Sequence, residues 1–170
     1  MFSGAYGVTS NELPWPRETA MVYRLTIDNG TPGDYQFIRN NFKSDRAELK
    51  FINQVKISPE ATEIKMEMFI SYSPCNKCAN ELIDWIKNLR EQGKTVSIAI
   101  KFSTFYKDET DGLISLVEEG EITLDVFRGK EDWKHFFQFI KRNDFKKYEK
   151  RIRQRRGRED DDYNKLQGII

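Results

Sequence analysis

Between Ile64 and Phe102 the spacing of apolar residues changes from every second position to a helical period and back again. Ile64, Met66, Met68 and Ile70 alternate with Lys65 and Glu67, so the segment up to Ser71 is predicted as a strand with one buried face. Ser73 and Pro74 then supply a cap and a residue well tolerated at a first helical position. A helix is predicted from there to about Gln92, with Leu82, Ile83, Ile86 and Leu89 inward and Gly93 ending it. Val96, Ile98, Ile100 and Phe102 alternate again. A strand, a helix and a strand in that order favour parallel neighbours joined by a right-handed crossover.

The flanking segments extend this unit. Ala20 to Ile27 has the β-branched and aromatic content of a strand, and Asp28-Asn29-Gly30 with Pro32-Gly33 turns the chain towards a second strand at Tyr35 to Arg39. Ala47, Phe51, Ile52 and Val55 recur at helical spacing. After Phe102 come a short helix over Asp111 to Glu119, closed by Gly120, and a strand over Ile122 to Phe127. Helices are predicted over Asp132 to Arg142 and Asp144 to Arg156. Residues 1–17 read as irregular, and 157–170, with the acidic run Glu159 to Asp162, as a flexible tail. The order β-β-α-β-α-β-α-β-α-α predicts an α/β domain with a mixed five-stranded sheet and helices on both faces.

Length and composition narrow the function. The 170 residues suit one domain, 1–170, and 38% hydrophobic content is enough for a core. Net charge is only +1, so any polynucleotide partner has to be argued from where charge sits. No apolar run approaches the roughly 20 residues that span a bilayer, so no membrane partner is expected. No secretory signal is visible near Met1, and a disulfide scaffold would carry more than two cysteines. The expected location is intracellular, in cytoplasm or nucleus, and a monomer is favoured.

Those two cysteines, Cys75 and Cys78, stand at the junction of the strand and the long helix. Unpaired N–H groups and the positive end of the helix dipole favour thiolate there, and two thiolates one turn apart can grip one zinc ion. Two other readings are open: a pair of small buried residues, and a redox pair at a strand-to-helix turn. The redox fold known for such a pair closes its site with a downstream cis-proline, and this chain has no proline after Pro74. Upstream stands Asp45-Arg46-Ala47-Glu48. A zinc deaminase needs three ligands, an open position for water and a carboxylate that is not a ligand, in the order His/Cys-x-Glu and then Pro-Cys-x-x-Cys. Glu48 and Pro74 have the required separation. By itself Glu48 is equally a solvated acid at a helix N-terminus.

Ser71-Tyr72-Ser73-Pro74-Cys75-Asn76-Lys77-Cys78 resembles the Ser-Trp-Ser-Pro-Cys-x-x-Cys stretch of AID/APOBEC deaminases, lamprey cytidine deaminases included. Arg46-Ala47-Glu48-Leu49 is similar to their His-Ala-Glu-Leu. Further similarity lies in Arg17-Glu18-Thr19, in Gly112 to Leu116 with Gly120, and in Trp133 to Phe137. The resemblance implies a three-layer cytidine-deaminase fold, one Zn2+ held by Cys75, Cys78 and a third ligand, and Glu48 as proton shuttle. It also implies C-to-U conversion in single-stranded DNA or RNA. For contacts to the nucleic acid it points to Arg17, Asn40, Tyr72, Phe105 and Tyr106. Tyr72 is also readable as a core aromatic and Asn40 as a turn residue.

One position departs from that pattern. Arg46 stands where the family has a zinc-binding histidine, and a guanidinium has no free lone pair and keeps its charge. Zinc is therefore expected to be weak or absent. Three explanations stay open: a substitution that inactivates a deaminase, a pseudoenzyme that keeps only nucleic-acid binding, and a neighbour such as Asp45 replacing the ligand. His135, the sole histidine, is expected to be structural. The basic run Lys146, Lys147, Lys150, Arg151, Arg153, Arg155, Arg156 and Arg158 reads as a solvated helix face, a phosphate-binding surface or an import signal.

Overall fold

The computed structural model describes residues 19–40, 46–107, 109–138 and 158–170. The strands are β1 (Ala20–Ile27), β2 (Gln36–Arg39), β3 (Glu63–Ile70), β4 (Thr95–Phe102) and β5 (Ile122–Val126). The described helices are α1 (Ala47–Gln54), α2 (Asn76–Glu91), α3 (Asp111–Glu118), α4 (Gly129–Phe137) and α5 (Glu159–Gln167).

One sheet has the order β2-β1-β3-β4-β5. β1 runs antiparallel to both β2 and β3, whereas β3–β4 and β4–β5 are parallel. The mixed five-stranded sheet expected from the sequence is the one observed. The reason lies in the connections: a tight turn after Ile27 permits only an antiparallel return, while α2 and α3 each carry the chain back to begin a parallel neighbour.

Alternation along the strands sorts side chains between two layers. Met21, Ile64, Met66, Met68, Ile70, Ile98, Ile100, Phe102 and Leu124 face one way and pack with Phe51 of α1, Leu82 and Ile86 of α2 and Leu113 of α3. Val22 and Phe69 face the other way and meet Phe127 and Trp133, the latter from α4. Helices thus bury apolar surface on both faces. The sole histidine belongs to this second layer: the His135 ring centroid lies 4.3 Å from Phe69 and 4.7 Å from Tyr35.

Two expectations change. Residues 157–170 were expected to be a flexible tail, yet α5 occupies Glu159–Gln167 and inserts the fully buried Leu166 into the main core. Four consecutive acids hid that single apolar anchor in the sequence, and they suit the positive end of a helix dipole. The helix after β5 starts at Gly129 rather than Asp132, and Asp132 instead accepts a hydrogen bond from the Arg128 backbone N–H at 2.8 Å. The predicted irregular segment 1–17, the helix from 144 to 156 and most of the basic run lie outside the described residues. Among the described residues no helix is long and apolar enough to cross a membrane.

Candidate functional site

β3 and β4 run parallel in the register Glu63↔Thr95 to Ile70↔Phe102, so the chain leaves both strands at the same end of the sheet. In open α/β sheets ligands bind outside that carboxyl end. Three segments meet there: the start of α1, the turn from β3 into α2, and the loop after β4.

The turn into α2 is built differently from the predicted cap. Cys75, not Ser73, is the N-cap, and its sulfur accepts from the Cys78 backbone N–H at 3.4 Å. Ser73 is released for another task. Its hydroxyl accepts from the Tyr106 N–H at 2.8 Å, and its own N–H donates to the Thr104 carbonyl at 2.8 Å. The loop after β4 is thereby tied to the cysteine turn. Glu109 completes the tie by accepting from the Asn76 N–H at 3.1 Å, and the Asn76 side-chain carbonyl accepts from the Gly112 N–H at 2.9 Å. Gly112 has to be glycine, because a Cβ there would lie 2.8 Å from both Ala79 Cβ and Asn76 Cα. Ser73, Asn76 and Glu109 were not predicted as site residues. Glu109 looked like any acid ahead of a helix, and only the fold-back of the loop reveals its partner.

Glu48 comes to the same place from the first turn of α1. Its side chain is 4% exposed and hydrogen-bonds with Cys78. Burial, reinforced by the negative charge of Cys75, raises its pKa to about 7. Cys75 and Cys78 are free thiols, 4% and 1% exposed, and their side chains are hydrogen-bonded to each other. That bond, the backbone N–H of Cys78 and the Arg46 charge together lower the Cys75 pKa to about 6, against burial. Bonding to Cys75 and burial drive Cys78 the other way, so it remains the protonated partner. The expected convergence of two sulfurs and one carboxylate is therefore present.

Arg46 fills the remaining corner. Its Nη1 donates to Cys75 Sγ at very close range and lies 3.8 Å from Cys78 Sγ. Burial pulls its pKa down, but the hydrogen bond to Cys78 and the negative charge of Cys75 outweigh burial and leave it raised. These donors do not fit zinc. Two sulfurs are present, but the third corner holds a cation that already uses their lone pairs. Among the described residues no group of three or more His, Cys, Asp or Glu side chains is placed to hold a metal ion. Asp45, the neighbour considered as a replacement ligand, lies outside the described residues.

The nucleic-acid candidates divide. Tyr72 is 6% exposed, with its ring 6.2 Å from that of Tyr106 in an edge-on arrangement. Tyr106 is half-buried, and Lys107 Nζ lies 5.1 Å from its ring centroid. Tyr106 is thus the aromatic available at the mouth of the site. Phe105, expected to stack on a base, is 7% exposed and packs edge-on against Phe102 at 5.1 Å, with Lys165 of α5 over its ring at 4.5 Å. It serves the core. Asn40 is 9% exposed and its side-chain carbonyl accepts from the Thr19 N–H at 2.7 Å, so part of its polar group closes the β1–β2 end. Arg17 lies outside the described residues.

Fold and site together define the AID/APOBEC class of cytidine deaminases, whose enzymes are zinc-dependent. A family model described as APOBEC3H matches residues 14–146, and the chain belongs to that family. It is 30% identical over 108 residues to the DNA dC->dU-editing enzyme APOBEC-3H of Macaca mulatta, covering 62% of this chain and 51% of that protein. It is 35% identical over 75 residues to the enzyme of the same name from Homo sapiens, covering 43% and 37%. The Felis catus enzyme is 34% identical over 74 residues, covering 42% and 38%. The aligned stretch spans about half or less of each of these relatives. α5 lies beyond the matched segment.

Proposed function

We propose that the chain is a C-to-U deaminase of the APOBEC type, directed at single-stranded polynucleotide and silenced in its present form by Arg46. Single-stranded DNA is the favoured substrate, because the relatives are named for editing dC in DNA; RNA is the alternative. The observation that carries this reading is the contact of Arg46 with both sulfurs beside Glu48. A buried carboxyl group with a pKa of about 7 is able to hold a proton and to release one near neutrality. Tyr106, half-buried and packed edge-on against the buried Tyr72, offers an aromatic surface against which an unstacked base can rest. Free thiols at positions 75 and 78 accord with action inside the cell, in cytoplasm or nucleus.

The chain as it stands would bind single-stranded DNA without forming uracil. This is also what a nucleic-acid-binding pseudoenzyme would do, and Arg46→His separates the two. Elemental analysis should find no stoichiometric zinc in the unmodified chain and near-stoichiometric zinc in Arg46→His. Only the variant should convert cytosine to uracil in a single-stranded oligonucleotide. Stoichiometric zinc with deamination in the unmodified chain would defeat the silencing. A zinc-loaded but inert Arg46→His would favour the pseudoenzyme.

A further inference from the structure

The loop that carries Tyr106 is held from two sides, and the second side is α5. We propose that α5 positions the candidate site: through Phe105 it fixes where Tyr106 meets a base of single-stranded polynucleotide, with Leu166 as the positioning residue. This rests on the reading of the site as one for polynucleotide.

Three observations carry it. On one side the loop is bound to the backbone between β3 and the cysteine turn. Ser103 Oγ donates to the Ser71 carbonyl at 2.6 Å, the Ser73 N–H donates to the Thr104 carbonyl at 2.8 Å, and the Tyr106 N–H donates to Ser73 Oγ at 2.8 Å. Phe105, between these bonded residues, sends its side chain into the main core instead, 7% exposed and edge-on to Phe102 at 5.1 Å. On that other side lies α5, with Lys165 Nζ 4.5 Å from the Phe105 ring centroid and the fully buried Leu166 in the same apolar cluster. α5 is itself anchored apart from the loop. Glu159 accepts from the Gly129 N–H at 3.0 Å, the Arg128 guanidinium lies 4.4 Å from the Tyr163 ring centroid, and the helix packs on β5.

The consequence follows from the backbone. Thr104 and Tyr106 are joined to Phe105 by planar peptide units, so a shift at Phe105 is passed to both. Directly after Tyr106, Lys107 takes φ 54°, in the left-handed region. A lysine there is strained and stays only where its surroundings hold it. With Phe105 unseated, less opposes that strain, and the Tyr106 N–H is free to leave the Ser73 hydroxyl. The buried anchor of α5 is thereby connected to the aromatic at the mouth of the site.

The test compares the unmodified chain with Leu166→Ala, or with Leu166→Val where the alanine variant does not fold. Amide hydrogen exchange followed by NMR is read at Tyr106 and, as a control in the loop before β3, at Ala61 and Thr62, which also donate from a loop. General loosening speeds all three, whereas release of the seat speeds Tyr106. Expected is exchange at Tyr106 faster by roughly tenfold, with the control amides unchanged. Leu166→Met, which refills the seat, should restore the original rate.

Binding of a fluorescent single-stranded oligodeoxynucleotide carrying one cytosine is then measured by anisotropy. Leu166→Ala and Tyr106→Ala should each weaken it, roughly tenfold for loss of one stacking contact, and the double variant should be no weaker than Tyr106→Ala. The salt dependence should stay the same, because no phosphate contact is removed. An unmodified chain without affinity for the oligonucleotide, or Tyr106→Ala that binds as tightly, would defeat the polynucleotide reading, while the exchange rates still decide the seat. Tyr106 exchange that is unchanged, or that rises no more than at Ala61 and Thr62, would overturn the proposal. So would losses of affinity that multiply in the double variant.

Discussion

Two cations are set into opposite ends of the sheet, and their surroundings differ in kind. Lys94, just before β4, is 6% exposed, and its Nζ donates to the carbonyls of Ser58, Pro59 and Ala61 at 3.2, 2.8 and 2.7 Å. An ammonium has three N–H bonds, and here three acceptors meet them. The cage closes the loop from α1 to β3, next to Asp28, which accepts from the Thr62 and Glu63 N–H groups at 2.8 Å each. Arg46, at the carboxyl end, has five N–H bonds and is set against two sulfurs and a buried carboxyl. Sulfur is a weak acceptor unless ionised, and only Cys75 is pushed towards the thiolate. The first cation matches its acceptors. The second has more donors than the two sulfurs and one carboxyl around it can satisfy. Depth alone does not make a charge structural; the number and type of its acceptors do.

The sharpest way to break the comparison is Lys94→Met. Methionine has a similar reach but no donor, so the Ala61 carbonyl and its two neighbours lose their partner in a buried place. The expected cost is about 3 kcal/mol, a fall in Tm of about 10 °C for a chain of this size. Thermal unfolding followed by circular dichroism measures it. A loss under about 1 kcal/mol would mean that water replaces the ammonium, and that the cage is not what holds this loop.

Glu48→Gln sharpens the other side through pH. The folded-state pKa of Glu48 is raised from 4.5 to about 7, so between those values the folded protein binds more protons than the unfolded chain. Its contribution to stability is present below about pH 4.5 and is lost as pH rises through 7. Cys75 runs the opposite way, with stability growing above about pH 6, because its folded pKa is depressed. The informative quantity is therefore the difference between Glu48→Gln and the unmodified protein, in which Cys75 is common. Glutamine should match it near pH 4.5 and exceed it by about 3 kcal/mol at pH 8. A pH-independent difference would show that the acid is not held in its neutral form by burial. Lys94→Met should show its loss at every pH in this range.

How much of this was legible beforehand follows from the range of the forces involved. The strands and α2 were readable because alternation and helical spacing are local signals, and Gly93, at φ 79°, marks the end of α2 as glycine at such a position should. Glu48 and the cysteine pair were readable because a site split over two segments still has a fixed separation in sequence. Glu109, Asn76 and Ser73 were not, since they act through hydrogen bonds between the loop after β4 and the turn at the start of α2. Phe105 was misjudged as a base-stacking residue because an aromatic in a loop has the same sequence appearance whether it faces solvent or fills a gap beneath α5. Lys94 gave no signal at all: a lysine after a helix-ending glycine is ordinary, and its three acceptors belong to a loop more than thirty positions upstream.

The smallest effect is the most discriminating. Arg46→Met removes the guanidinium and supplies an apolar chain of comparable reach at the head of α1. Without that positive charge the Cys75 pKa rises, so the sulfur takes up a proton and no anion is stranded. Exchange of a charged group for a fitting apolar one is often close to neutral for stability when its partner can neutralise in this way. The expected change is within about 1 kcal/mol at pH 7, a Tm shift of about 3 °C or less, measured beside Lys94→Met under one set of conditions. Should Arg46→Met cost as much as Lys94→Met, the two ends of the sheet would hold the same kind of cation. Arg46 would then be a structural strut with the thiols as its acceptors, rather than a charge that its neighbours do not match.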